Sequence, residues 1–281
     1  MATDYVLHLA CQPKLDLGSG DAIKGSAELL QLLKARNQAA LIEDTAKRQG
    51  SSPSSISVSV RLVGPDRSPV EKDVTYDQLV AQIAPLAAHA GACAGCPANL
   101  FAQPFGCYGI VPYPITLAAE AWLMDRVQPT SMVGGFLCNR AVQDFGYLGE
   151  PIREMRAAGL LESQSAVSKV VEGSWFSKKR ITSDQVLQGM IAVGEPLDPG
   201  HCMGVLLWLG CLQLDGKSLG GAADAPLVQE IARLETPEAK RSRTSLAVMA
   251  APQDRSTASL QGLLHAFYLA WVLDIPILVS Y

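Results

Sequence analysis

The feature that most constrains this chain is a span of 42 residues, Gln78 to Ala119, without one Asp, Glu, Lys or Arg, in a protein that is 18% charged as a whole. Within it, residues 89–115 show no helical or strand period and are broken by Pro97, Pro104, Pro112 and Pro114 and by Gly91, Gly95, Gly106 and Gly109. A structureless stretch of this length is uncommon in a compact domain, and it is expected to be functional or pinned by something.

Cysteine supplies the pin. Cys93-Ala94-Gly95-Cys96-Pro97 is a C-x-x-C unit, and Cys107 follows with ten residues between. A tight turn at C-x-x-C aims two thiolates at one ion, and Gly95 suits that turn. Gly106 and Gly109 flank the third thiol and let backbone N–H groups come close to sulfur, where they support a metal thiolate. A bound cation also makes a charge-poor pocket tolerable for thiolates. The reading is therefore a metal site at Cys93, Cys96 and Cys107, with Cys138 as the expected fourth ligand; His89 is second choice, and Cys202 and Cys11 are remote ones. Zinc is slightly preferred. The Cys96-Pro97 pair and the apolar loop favour an iron–sulfur cluster of the [4Fe-4S] type as the alternative. Against both stands the plain reading of free cysteines as small buried hydrophobes.

The aromatics Phe101, Phe105, Tyr108, Tyr113 and Trp122 surround these cysteines in sequence. They read as packing around the site or as a binding surface, since aromatics in a charge-poor patch are typical of interface cores. With hydrophobic residues at 48%, the low charge itself points to apolar surface covered by a protein partner or a second copy.

Other chemistry is sparse. Net charge is −4, without the concentrated basic face that nucleic acid requires. Lys178-Lys179-Arg180 and Lys240-Arg241-Arg243 read as solvated clusters. The turn Gly18-Ser19-Gly20-Asp21, between a strand and a helix, could seat an anion, although Lys24 and Gly25 are in the wrong order for a P-loop. His201-Cys202 places a base beside a thiol; a hydrolase or transferase using Cys202 and a distant histidine is the weakest reading. The N-terminal residues do not form a secretory signal, the apolar run Ser256 to Leu273 reads as a buried helix rather than a membrane span, and a cytoplasmic, thiol-reducing compartment is expected.

The patterning predicts an α+β protein. Tyr5 to Ala10 reads as a strand. A helix capped by Ser26 runs to about Arg48, with Leu29, Leu30, Leu33, Ala40 and Leu41 inward, and Gly50 stops it. Ile56, Val58, Val60 and Leu62 alternate with polar residues, and Val70 to Tyr76 alternates again, as a hairpin does. Asp77 caps the next helix, which Pro85 interrupts. Thr116 opens a helix with Leu117, Ala121 and Trp122 inward, closed by Pro129. Beyond it, helices are expected near 132–145, 151–161, 184–192 and 225–235. Trp175 to Ile181 suits a strand, Met203 to Leu214 suits either state, and the closing helix carries the stripe Leu260, Leu263, Leu264, Phe267, Tyr268 and Trp271. Pro276 to Tyr281 closes as a strand. A domain of 1–128 bearing the cysteine loop and a mainly helical domain of 129–281 are expected. The preferred function is a metal-binding assembly component acting through the cysteine loop. The alternative is an iron–sulfur or thiolate-dependent enzyme using Cys93, Cys96 and Cys107 with an open coordination position.

Overall fold

The computed structural model describes residues 2–63, 69–128, 150–172, 178–191, 196–219, 225–247 and 254–280. Helices and several small, separate antiparallel sheets make an α+β fold. The chain divides into two compact units, one of Ala10–Phe105 and one of Met1–Leu9 with Gly106–Tyr281. The expected boundary near Pro129, and the helix expected at 132–145, lie outside the described residues.

In the Ala10–Phe105 unit, α1 (Gln12–Leu17) leads through a tight turn to α2 (Ala22–Gln49). The cap of α2 is Asp21 and not Ser26, which is buried inside the helix. Asp21 Oδ1 accepts from the N–H groups of Ile23 at 2.8 Å and Lys24 at 3.2 Å. That carboxylate fills the place proposed for an anion, so the turn is a helix start. Gly25 is required here: a Cβ would lie 1.6 Å from the Lys14 carbonyl oxygen. At the far end Gly50, with φ 64°, and Ser51 return their N–H groups to Lys47 and Ala46, a Schellman ending.

Leu29, Leu30 and Leu33 are buried as expected, but Ala40 and Leu41 are exposed. The inward positions continue as Ala35, Ala39, Ile42 and Ala46, which keep the 4-3-4 spacing of one helical face; Ala40 and Leu41 sit one residue, about 100°, off it. Ala35, Ala39, Ile42 and Leu79 form a core on which Ile56, Val58, Val74, Tyr76 and Ile83 pack. The hairpin is β2 (Ser57–Val63) with β3 (Pro69–Thr75). Thr75, not Asp77, caps α3 (Tyr76–Ile83), in a reciprocal capping box with Gln78. Asp77 instead accepts from the Ser54 hydroxyl at 3.0 Å. Pro85 starts a 3₁₀ segment, Ala84–Cys93, where its missing N–H costs nothing.

The other unit is built on a three-stranded antiparallel sheet. β1 (Ala2–Leu7) lies between β4 (Tyr108–Pro112) and β10 (Ile277–Ser280). β4 falls inside the stretch read as lacking a period. Gly109 interrupts the apolar alternation because Tyr5, opposite it in the register, lays its ring there; a Cβ would lie 2.3 Å from the Tyr5 phenol. Around the sheet come α4 (Leu117–Arg126), α5 (Glu150–Ala157), α6 (Ser183–Ile191), α7 (Pro199–Trp208), α8 (Ala225–Ala232), α9 (Pro237–Arg243) and α10 (Arg255–Leu273). The small strands are β5 (Ser168–Glu172) with β6 (Lys178–Thr182), and β7 (Leu212–Leu214) between β8 (Lys217–Leu219) and β9 (Thr244–Leu246).

Met203 to Leu214 is thus both states: helix to Trp208, a turn at Gly210 with φ 59°, then strand. The stripe of α10 is buried as read, apart from the half-buried Tyr268. Asp254 caps α10 by accepting from Thr257 N–H at 2.9 Å and also holds the hydroxyls of Thr257 at 2.7 Å and Thr116 at 2.8 Å. Lys240 closes α10 from the other end, donating to the Trp271 carbonyl at 2.8 Å from a buried position. Arg243 pairs with Asp215 at 2.5 Å and Glu230 at 2.7 Å. Two members of that basic cluster therefore hold structure and are not merely solvated. No helix is long and apolar enough to cross a membrane, among the described residues.

Candidate metal centre

The C-x-x-C unit follows the 3₁₀ segment directly. The Cys96 N–H returns to the Cys93 carbonyl at 3.3 Å. Ala94 has φ −65° and ψ 125°, and Gly95 has φ 75°. These are the angles of a type II turn, whose third position takes glycine because φ is positive there.

Asn99 then ties the loop shut with both ends of its side chain. Its amide nitrogen donates to the carbonyls of Cys93 at 3.1 Å and Gln103 at 3.0 Å, and its oxygen accepts from the N–H groups of Phe101 and Gln103, both at 3.3 Å. The Phe105 N–H reaches the Cys93 sulfur at 3.1 Å. Phe105 itself is buried, with the Arg36 guanidinium of α2 lying 5.9 Å from its ring centroid. The loop is therefore uncharged in sequence but faces a cation in space. Asn99 and Arg36 are residues that the sequence reading missed. Asn99 had a readable signal, since a lone Asn among prolines and glycines favours turn-closing bonds to backbone; Arg36 lies in a distant helix and had none.

Of the expected ligands, Cys93 and Cys96 come together as free, half-buried thiols. Cys107 lies two residues beyond the limit of this unit, buried, with its carbonyl accepting from Leu7 N–H at 3.0 Å as an extension of the β1–β4 pairing. Cys138 lies outside the described residues. His89 is turned toward α1, its Nδ1 3.8 Å from Asp16 Oδ2. Among the described residues, no three His, Cys, Asp or Glu side chains converge into a metal-binding group. The described residues thus place two cysteines on one turn.

The remaining thiols differ. Cys202 is completely buried, and burial, reinforced by Asp198, holds its thiol well above the ordinary range. The His201 ring is engaged with the Gly189 carbonyl at 2.6 Å. A protonated, inaccessible thiol cannot act as a nucleophile or a ligand. Burial likewise pushes Cys211 up to about 11. Cys11 is half-buried at the start of α1.

The aromatics separate as well. Phe101 is 45% exposed, whereas Phe105 and Tyr108 are buried, the Tyr108 hydroxyl bonded to Asp4. Tyr113 is half-buried and shares a hydrogen bond with Thr3 at 2.5 Å. Trp122 carries the Arg126 guanidinium 5.1 Å from its ring centroid and lines a small apolar pocket with Cys211, Leu264 and His265. Phe101 alone of the five presents a largely free apolar face.

A second polar centre lies in the unit of Met1–Leu9 and Gly106–Tyr281. Arg156 forks onto Glu120 at 2.6 and 3.2 Å, meets Asp184 at 2.5 Å, and donates to the Ser163 carbonyl at 2.5 Å. The Ser183 hydroxyl donates to Glu120 at 2.5 Å and accepts from Val167 N–H at 3.1 Å. Burial opposes the Arg156 charge, but the two carboxylates outweigh it and hold the guanidinium more basic than usual. Glu120 is wholly buried, which corrects the expected inward face of α4: Ala119, Glu120, Leu123 and Met124 face in, and Leu117 is 48% exposed. Among the described residues the members of this cluster pair with one another, which holds α4, α5 and α6 together.

No family model, curated protein or solved structure matches this chain.

Proposed function

We propose that this chain is a metal-binding protein whose Cys93/Cys96 turn holds a thiophilic ion, zinc in preference to a [4Fe-4S] cluster, in a cytoplasmic, thiol-reducing setting. The observation that carries the reading is the preformed turn: two half-buried thiols at C-x-x-C, with Phe105 N–H already donating to one sulfur. Such backbone donors support thiolate charge and tune a bound metal. Sequence spacing puts forward Cys107 and Cys138 as further ligands; Cys107 does not converge with Cys93 and Cys96 into a three-residue group in this structure, and Cys138 lies outside the described residues. The ordered loop then acts as an assembly surface, with the exposed Phe101 as the apolar anchor for a protein partner or a second copy. The alternative, a thiolate-dependent enzyme, rests on the same pair of free, half-buried thiols, which a small reactant can reach.

Metal analysis with a visible spectrum, on protein purified without oxygen, tests this. Colourless protein with stoichiometric zinc, lost in Cys93→Ser and Cys96→Ser, is the expected result. A brown protein with iron and sulfide shifts the assignment to the cluster. Protein without any metal, and with unchanged melting in Cys93→Ser, ends both.

A further inference from the structure

From the same turn we infer that Cys93 and Cys96 form a dithiol that closes reversibly to a disulfide, so that oxidation expels the metal; this second half rests on the metal reading above. A type II turn brings its first and fourth Cα atoms within about 7 Å, and a disulfide needs Cα atoms roughly 4.4–6.8 Å apart. The turn is already closed by the Cys96 N–H to Cys93 carbonyl bond at 3.3 Å. Closing the S–S bond therefore requires side-chain rotation and not a rearranged backbone. Both thiols are free and half-buried, in contrast to the fully buried Cys202, so a small oxidant reaches them.

The two sulfurs are not equivalent. The Phe105 N–H donates to Cys93 Sγ at 3.1 Å, a bond that supports thiolate charge on that sulfur. This assigns the order of events with a hydroperoxide as oxidant. The Cys93 thiolate attacks one peroxide oxygen, the O–O bond breaks, and hydroxide leaves and takes up the thiol proton as water, giving a sulfenic acid. The Cys96 sulfur, three residues away, then attacks the Cys93 sulfur. The S–O bond breaks and the second water leaves. Two thiols and one hydrogen peroxide thus yield one disulfide and two waters, with two electrons passing from sulfur to oxygen. The disulfide cannot act as a pair of thiolate ligands, so a site using both sulfurs loses half of a tetrahedral donor set.

The test uses the full chain, once as purified and once stripped of metal by a chelator and reduced. Each is treated with one equivalent of hydrogen peroxide and alkylated, and its peptides are mapped. The expected result is a Cys93–Cys96 disulfide, reversed by dithiothreitol, with Cys202 and Cys211 still reduced. In metal-loaded protein, released metal rises in proportion to the disulfide formed. Cys96→Ser leaves a sulfenic acid on Cys93 that a dimedone probe captures; Cys93→Ser loses that labelling. Thiols at 93 and 96 that stay reduced in stripped protein, or a disulfide to another cysteine, overturn the inference even where metal is bound. Protein that never holds metal but closes this disulfide overturns the metal reading and leaves the redox pair standing.

Discussion

Between Cys93 and Phe105 every cross-link is made by neutral groups: one asparagine side chain, backbone N–H and C=O, and one thiol. Around Arg156 the cross-links are ionic, one guanidinium against two carboxylates in a nearly dry interior. The first set joins residues within 12 positions of each other; the second joins residues 28 and 36 apart. Short-range neutral bonds order a loop locally and can be rearranged at modest cost, which suits the ion binding and disulfide closure proposed for it. Buried charges fix three helices at once, and removing one partner leaves the others uncompensated. The lesson is that the uncharged region is the adaptable one and the charged cluster the rigid one.

The largest test of that contrast is Arg156→Met. It should cost about 3–5 kcal/mol in urea unfolding, because Glu120 is left buried without its partner. Pairing it with Glu120→Leu should recover most of the loss, since a packed apolar replacement is often close to neutral. If the single variant unfolds as wild type does, the cluster is not the rigid element.

Asn99→Ala comes next. Losing four loop bonds of modest net worth should cost about 1–3 kcal/mol in metal-free protein, and weaken metal binding about 10–100-fold in a competition titration with a chromogenic chelator. Unchanged affinity would mean that the neutral clamp does not organise the turn.

Asp254→Ala should remove about 1 kcal/mol as a lost helix cap. Burial pushes this carboxyl up, but the bonds from Thr257, Thr116 and Ser256 outweigh it, and it sits below the usual carboxylate range. A carboxyl lowered on folding contributes fully above its unfolded value near 4, and the contribution fades as pH falls through the lower folded value. The variant should therefore show a shallower loss of stability on acidification below about pH 4, read from denaturant midpoints.

The smallest effect belongs to Lys169→Met. Lys169 reaches the carbonyls of Val127 at 2.9 Å, Asp125 at 3.3 Å and Met124 at 3.4 Å, at the C-terminal end of α4. A cation there contributes about 0.3–1 kcal/mol. The thermal midpoint should fall slightly and less so in high salt. A salt-independent change would point to lost packing by the lysine stem instead.

Local features were legible in the sequence. The hairpin of β2 and β3, the Thr116 cap, the Gly50 stop, the stripe of α10 and the C-x-x-C turn with Gly95 all rest on spacings of a few residues. The Asp21 cap was missed because Ser26, an equally good capping residue, stood nearer the leucines, although the helix had already begun. β4 was hidden because Gly109 answers a demand made by Tyr5, more than 100 positions away. The Arg156 cluster was invisible for the same reason: Glu120, Arg156 and Asp184 look like ordinary surface charges until α4, α5 and α6 meet. At the candidate site, the two cysteines on one turn could be read directly, but burial could not, so Phe105 and Tyr108 resembled a surface until the fold took them inside.

X-ray absorption at the metal edge, on protein purified without oxygen, reports whether sulfur from the Cys93/Cys96 turn binds a metal, as proposed. The expected result is a shell dominated by sulfur, at about 2.3 Å for zinc, that disappears with the metal in the Cys93→Ser/Cys96→Ser double variant. A shell of nitrogen and oxygen alone, or a sulfur shell unchanged in that variant, would rule out metal binding by these two cysteines.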